Sequence, residues 1–185
     1  MIKKPVILAL ACFCAYAVAG NALAGQSWTG GVQMSNSQGQ AVESRLAADS
    51  SGALYLVWTE KTGSELSAVF SRSADNGFSW TAGSVIVSGS SNVSGYQIAS
   101  PAAGTLCLFF LDDRSGAGQI YMMTSLDKGN SWTVSNQIYF AGAGTDGFSA
   151  CADAAGGLNL VFNDISDGKL YFLKSSDGGS TWTVK

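Results

Sequence analysis

The sequence predicts an all-β protein assembled from β-propeller blades, and three observations carry that prediction. An eight-residue pattern, S-x-D-x-G-x-x-W, occurs from Ser73 to Trp80, Ser125 to Trp132 and Ser175 to Trp182, with its aspartates 52 and 50 residues apart. Each copy follows an apolar run (Leu54-Tyr55-Leu56-Val57-Trp58, Leu106-Cys107-Leu108-Phe109-Phe110 and Leu158-Asn159-Leu160-Val161-Phe162) whose first leucines lie 52 residues apart. No stretch holds a helical period, and glycine outnumbers proline 23 to 2. A fixed period near 50 residues marks stacked, self-similar units. Four short strands per unit is the content of one propeller blade.

The elements of a repeat follow in order. The first strand is built of small residues: Arg45-Leu46-Ala47-Ala48, Gln97-Ile98-Ala99-Ser100 and Ala150-Cys151-Ala152. That composition suits the innermost position, where strands crowd around the axis. The apolar run is the second strand, expected to be covered on both faces between neighbouring blades. The third strand alternates more: Leu66 to Ser71, Gln119 to Thr124 and Lys169 to Lys174. The signature then turns the chain into a fourth strand, from Trp80 to Val87 and from Trp132 to Phe140. The blades are thus expected over about 41–88, 93–140 and 145–185.

Both ends are out of phase with this repeat. Ser27-Trp28-Thr29-Gly30-Gly31-Val32 matches Ser79-Trp80-Thr81-Ala82-Gly83-Ser84, which predicts an extra fourth strand over 27–35. The third repeat stops at Lys185 as its own fourth strand begins. Closed propellers have four to eight blades. The expectation is therefore that the array continues beyond Lys185, or that two copies pair as a homodimer that closes a ring.

Residues 1–24 read as a signal peptide: basic Lys3-Lys4, an apolar stretch from Val6 to Ala19, and an Ala22-Leu23-Ala24 cleavage site. A lipoprotein signal at Cys12 is disfavoured, since Ala9 stands where a larger aliphatic belongs. The mature chain, 25–185, is expected to be exported to the periplasm or the extracellular space, without membrane attachment after cleavage. Removing Lys3 and Lys4 leaves 8 basic against 13 acidic residues, a net charge of −5, with no histidine. An acidic chain has no stripe with which to neutralise phosphates, so nucleic acid is excluded as a partner. Lacking histidine, it also lacks the commonest zinc ligand and neutral-pH base, so no metal and no cofactor is expected. Cys107 and Cys151, at non-equivalent repeat positions, read as two buried thiols rather than a disulfide.

The signature, placed at the third turn of each repeat, resembles the Asp-box, or bacterial neuraminidase repeat, of sialidases and related secreted proteins. The resemblance covers residues 27–185 and implies a six-bladed, sialidase-like architecture. It is specific for the blade and not for catalysis. In each box the carboxylate (Asp75, Asp127, Asp177) is expected to accept from turn N–H groups, and the glycine (Gly77, Gly129, Gly179) to supply a positive φ. The serine (Ser73, Ser125, Ser175) belongs to the same turn, and the tryptophan (Trp80, Trp132, Trp182) is expected to pack the loop onto the blade. Residues repeated so regularly suit a fold role.

Strand alternation puts any site on the opposite face. That face is expected to carry Arg45, Tyr96, Gln97, Phe148 and Ser149 at strand starts, and Glu60, Asp112, Asp113, Arg114 and Asp164 in loops. Glu60, Asp112 and Asp164 recur at intervals of 52 residues. They would form an acidic arc that binds sugar hydroxyls or a cation, or would simply brace their loops, the reading favoured. Likewise Asp112-Asp113-Arg114 reads as a local ion pair before a catalytic carboxylate pair. Tyr96 and Phe148, as exposed aromatics, would stack on sugar rings.

Sialidases bind the substrate carboxylate with three arginines and use a Tyr–Glu pair with an acid/base aspartate. Arg45-Leu46-Ala47, followed by Gly52-Ala53-Leu54, is similar in place to the family's first arginine segment but lacks its proline. Arg72, before a signature, lies away from the mouth, and no Tyr–Glu pair can be assigned. The resemblance therefore implies an exported protein that is non-catalytic on its own and binds carbohydrate. The alternatives are the N-terminal part of an exo-sialidase-type glycoside hydrolase and a structural or protein-interaction propeller.

Overall fold

Twelve strands make up the described structure, and every pairing between them is antiparallel. The computed structural model describes residues 30–36, 39–90, 92–114, 116–139 and 144–184. The first sheet orders β1 (Gln40–Ala48), β2 (Leu54–Thr62), β3 (Glu65–Ser73) and β4 (Ser84–Ser90) side by side. The second holds β5 (Val93–Ala102), β6 (Thr105–Asp112), β7 (Gln119–Ser125) and β8 (Asn136–Tyr139). The third holds β9 (Phe148–Ala152), β10 (Leu158–Asp164), β11 (Lys169–Ser175) and β12 (Thr183–Val184). All twelve lie in one compact unit, residues 33–185; of the other unit, residues 1–32, only 30–32 are described. The leader expected over 1–24 lies outside the described residues.

The first strand of each sheet is innermost: β5 lies against both β1 and β9. Gln97 of β5 ties two of these strands together, its Nε2 donating to the Phe148 carbonyl at 2.6 Å and its Oε1 accepting from the Ala150 N–H at 2.9 Å.

Two apolar layers hold the three sheets in sequence, and β6 divides its side chains between them. Leu106, Leu108 and Phe110 pack with Tyr55, Val57 and Phe70 of the first sheet. Cys107 and Phe109 point the other way, packing with Leu158, Leu160 and Phe162 of the third. The run Leu106–Phe110 is consequently buried throughout. The equivalent runs are not, which corrects the expectation that all three are covered on both faces. Leu54 and Leu56 are half-buried, and Val161 is 39 % exposed. The reason is position, because only the middle sheet has a described neighbour on each side.

The strand expected over 27–35 is not found in its described part. Residues 30–36 carry no strand, and 27–29 lie outside the described residues. An outer strand needs a third strand to pair with, and β4, β8 and β12 already take the outer edges of β3, β7 and β11. The cysteines are also corrected in part. Neither is in a disulfide, but only Cys107 is buried; Cys151 is exposed, on the face of β9 opposite to Ala150 and Ala152. Burial pushes the Cys107 thiol up to about 11.

Phe109 has no exposed surface and meets Trp182 edge-on at 6.3 Å. Phe109→Ala is expected to lower unfolding free energy by about 3–5 kcal/mol in urea titrations. Phe78→Ala, at a ring that is 91 % exposed, is expected to change it by less than about 0.5 kcal/mol. Equal effects at the two sites would contradict this placement of the core.

Candidate functional site

Alternating strands give the sheets two chemically different ends. At one end lie the turns after β1, β5 and β9 and the three signatures; at the other lie the loops after β2, β6 and β10.

The signature end is closed by its own hydrogen bonds. Asp75 Oδ1 accepts from the Ser79 N–H at 2.8 Å and the Ser73 hydroxyl at 2.7 Å, while Oδ2 accepts from the Ser79 hydroxyl at 2.5 Å. Asp127 makes the same three contacts with Ser131 and Ser125, and Asp177 makes them with Thr181 and Ser175. The serine hydroxyl in turn accepts from the glycine N–H, at 2.8 Å in all three turns. Hydrogen bonds from the Ser79, Ser131 and Thr181 side chains, then from their backbone N–H groups, hold the three carboxyls down at about 2. Both oxygens of each carboxylate are occupied, so these aspartates shape turns.

The turn also explains its glycine. Asn76, Lys128 and Gly178 adopt φ of 59°, 62° and 70°, and the following Gly77, Gly129 and Gly179 adopt 90°, 85° and 91°. At Gly129 a Cβ would also lie 2.3 Å from the Phe70 ring, and at Gly179 2.2 Å from Met122 Cε. The glycine thus seats the turn on the preceding sheet. Trp80 and Trp182 donate from Nε1 to the Gly77 and Gly179 carbonyls at 3.2 and 3.1 Å. Trp132 instead stands edge-on to Phe70 at 5.7 Å.

At the other end the three equivalent carboxylates are each engaged by neighbours in their own repeat. Asp112 is 3 % exposed and chelates Arg114: Arg114 Nε donates to both oxygens at 2.9 and 2.8 Å, and Nη2 makes an ion pair with Oδ2. The Arg114 side-chain hydrogen bond holds the Asp112 carboxyl below its usual range against the opposing effect of burial. Asp164 is buried, its Oδ1 accepting from the Ser166 N–H at 2.8 Å and hydroxyl at 2.5 Å. Glu60 is half-buried and accepts from Trp58 Nε1 at 3.3 Å. They brace their loops and do not form an open acidic arc.

The aromatics differ from expectation too. Tyr96 is 3 % exposed, packed 6.0 Å from Phe110, so it is no stacking platform. Its hydroxyl has no hydrogen-bond partner among the described residues, and burial, reinforced by the charge of Asp112, pushes its pKa up. Phe148 is half-buried against the second apolar layer. Arg45 lies within β1 rather than at its start, half-buried and opposite Val57, and donates to the Ser44 carbonyl. Of the charged residues expected at this end, the exposed ones are Arg114, whose side chain is 65 % exposed, and Asp113 beside it. Among the described residues no group of three metal-ligating side chains occurs.

Sequence reasoning missed Asp49 and Asp153, which stand two repeats apart at the turns after β1 and β9. Asp49 Oδ2 accepts from Tyr55 Oη at 2.8 Å and, across to the next sheet, from the Gly104 N–H at 3.1 Å. Asp153 accepts from the Ala155 and Gly157 N–H groups and from Lys174 Nζ at 3.0 Å. Their 104-residue spacing was the available signal, masked because Pro101 occupies the position between them. Also missed was a cleft of about 320 Å³ between β8 and the third signature, lined by Met122, Asn136, Gln137, Ile138, Gly179 and Trp182 among others. It forms between different repeats, so no single repeat announces it.

No protein-family model matches the sequence, and no curated protein does. Solved structures do. A Hadza microbial sialidase superposes with a TM-score of 0.58 at 16 % identity, covering 76 % of this chain and 36 % of its own. A protein of unknown function from Dyadobacter fermentans superposes with a TM-score of 0.60 at 17 % identity, covering 81 % and 55 %. A structure titled for the GH130 family of mannoside phosphorylases and glycoside hydrolases superposes at 0.50 and 13 % identity, covering 80 % and 49 %. The chain thus spans about one-third to just over half the length of these relatives. At such identities the likeness shows the fold, a β-propeller of the kind used by sialidases and glycoside hydrolases.

The depressed carboxyls give the signature turns a pH signature. A folded value of about 2 against an ordinary 3.8 means that the unfolded chain binds protons first as pH falls. The stabilisation is therefore present above about pH 4 and is lost as pH falls through about 2. Asp127→Asn is expected to unfold earlier in urea than the native chain at pH 7, with the difference shrinking between pH 4 and 2. A difference that is constant with pH would refute the role given to the ionised carboxylate.

Proposed function

We propose that the chain is an exported, Asp-box-type propeller related to sialidases that recognises carbohydrate and is not catalytic on its own. The observation that carries the reading is the pair at the mouth of the β6–β7 loop. Arg114 is held by the buried Asp112 yet leaves its outer N–H groups to solvent, and the exposed Asp113 offers acceptors beside them. A prepositioned donor next to a carboxylate suits a sugar's vicinal hydroxyls, because little side-chain entropy is lost on binding. Arg45 and Glu60, half-buried at or near the same end, extend the polar surface.

The arginine arrangement supports the non-catalytic part. Of the three arginines, Arg72 is at the signature end, its Nη1 donating to the Lys128 carbonyl at 2.9 Å. Two arginines are then left where three would bind a sialic acid carboxylate. The enzymatic reading, the N-terminal part of an exo-sialidase-type hydrolase, is supported by the fold likeness; a structural or protein-interaction role is the remaining alternative.

On a glycan array the chain is expected to bind a defined set of glycans, with Arg114→Ala weakening binding at least about tenfold, the loss of roughly one charge-assisted hydrogen bond. Hydrolysis of a fluorogenic sialoside that Arg45→Ala abolishes would overturn the non-catalytic reading. An array with no binder would overturn carbohydrate recognition in favour of the interaction role.

A further inference from the structure

Three described residues other than glycine hold a left-handed backbone: Glu43 at a φ of 50°, Asn76 at 59° and Lys128 at 62°. Asn76 and Lys128 are set by their signature turns, in which the third repeat has Gly178 at 70°. The Lys128 N–H is also tied to the Gly104 carbonyl at 2.9 Å. Glu43 lies in no such turn. It sits inside β1 as the extra residue of a bulge, since Val42 stands opposite Thr59 and Ser44 opposite Trp58, with nothing left to face Glu43.

The bulge recurs, and the recurrence isolates what is peculiar to Glu43. In β5 the register shifts between Ser94 and Gln97, and the residue 52 positions after Glu43 is Gly95, at a φ of 65°. The third repeat also has glycine at this place, Gly147, just before β9. Glycine holds a left-handed φ without a Cβ penalty, whereas glutamate does not. The fold offers no compensation for it. The Glu43 side chain is exposed and makes no hydrogen bond or ion pair among the described residues. Arg45, two residues on, donates to the Ser44 carbonyl at 2.9 Å instead. Strain kept without an internal return is a mark of functional positions, and bulges re-aim side chains beside sites.

The bulge is at the mouth end of the innermost strand. β1 starts beside the end of β2, Gln40 standing opposite Lys61 and Ala41 opposite Glu60, and Glu43 follows within a turn of the pleat. We infer that Glu43 contacts ligand at the mouth and selects neutral sugars over acidic ones. The inference rests on the carbohydrate reading and gives that reading a ligand class. An ionised carboxylate only accepts, and its two oxygens match the two O–H donors of a vicinal diol. The same charge repels the carboxylate of a sialic or uronic acid. Glu60 is the nearer charge across the strand pair and adds to that repulsion, while Lys61 stands farther out. Of the arginines at this end, Arg45 is turned to the Ser44 carbonyl and Arg114 already has Asp112 as its counter-charge.

The test compares the native chain with Glu43→Gly and Glu43→Gln, by urea unfolding and on an array of neutral oligosaccharides printed beside their sialylated counterparts. The native chain is expected to bind neutral members in preference to sialylated ones. Glu43→Gly is expected to unfold at higher urea than the native chain, because it relieves the left-handed strain. It is also expected to bind the neutral oligosaccharides at least about tenfold more weakly, the loss of a charged acceptor. Glu43→Gln keeps the Cβ, and is expected to unfold with the native chain and to bind more weakly. A Glu43→Gly chain that unfolds at lower urea makes the side chain part of the fold; one that binds as the native chain does removes it from the ligand. Either result overturns the inference and leaves carbohydrate recognition standing, as does a preference for the sialylated members. An array that the native chain does not bind at all overturns the carbohydrate reading, and this inference with it.

Discussion

The structure depends on the seating of one sheet on the next. A four-stranded antiparallel sheet with two apolar faces cannot stand alone in water, and each layer between sheets removes the facing side chains from solvent. The seat has a fixed chemistry. The signature glycine, at a φ that only glycine holds cheaply, brings its turn within contact of Phe70 or Met122 of the preceding sheet. Trp132 and Trp182 then meet Phe70 and Phe109 edge-on, the orientation favoured by the ring quadrupoles. The burial of β6 on both faces follows from that seat.

The two ends of the sheets carry different chemistry. At the signature end the carboxylates are saturated by serine and threonine hydroxyls and turn N–H groups, while Asp49 and Arg72 reach the next sheet, one accepting the Gly104 N–H and the other donating to the Lys128 carbonyl. At the other end, carboxylates in equivalent positions have been drawn into loop bracing. Asp112 is the instructive case. Buried itself, it fixes a guanidinium whose outer edge remains in solvent, so a structural carboxylate prepares a surface cation. Repetition thus produces similar braces at each position, while Arg114 and the exposed Asp113 are particular to one repeat.

Much of this was legible in the residues. The 52-residue spacing, the apolar second strands and the small-residue first strands each find their counterpart in β1 to β12, because strand periodicity and turn chemistry are local properties. The carboxylate contacts of the signature were legible for the same reason, being made within four residues of the aspartate. The mouth was legible only as a set of positions. Tyr96 reads as an exposed aromatic and is buried against Phe110; Glu60, Asp112 and Asp164 read as an arc and are each engaged within their own repeats. The residue count between repeats says where a side chain starts and not which neighbour it meets.

The sequence by itself determined the fold class, the repeat and the turn chemistry, since period, glycine placement and hydrogen-bonding side chains act over a few residues. Only the tertiary structure decided which faces are covered. Phe109 and Val161 occupy the same place in their repeats, yet one is fully buried and the other is 39 % exposed. Burial belongs to the pair of sheets that meet, and a single repeat carries no record of its neighbour. The same holds for Asp49 and Asp153: the turn bonding through Oδ1 is shared, but Oδ2 takes Gly104 of the next sheet in one and Lys174 of its own sheet in the other.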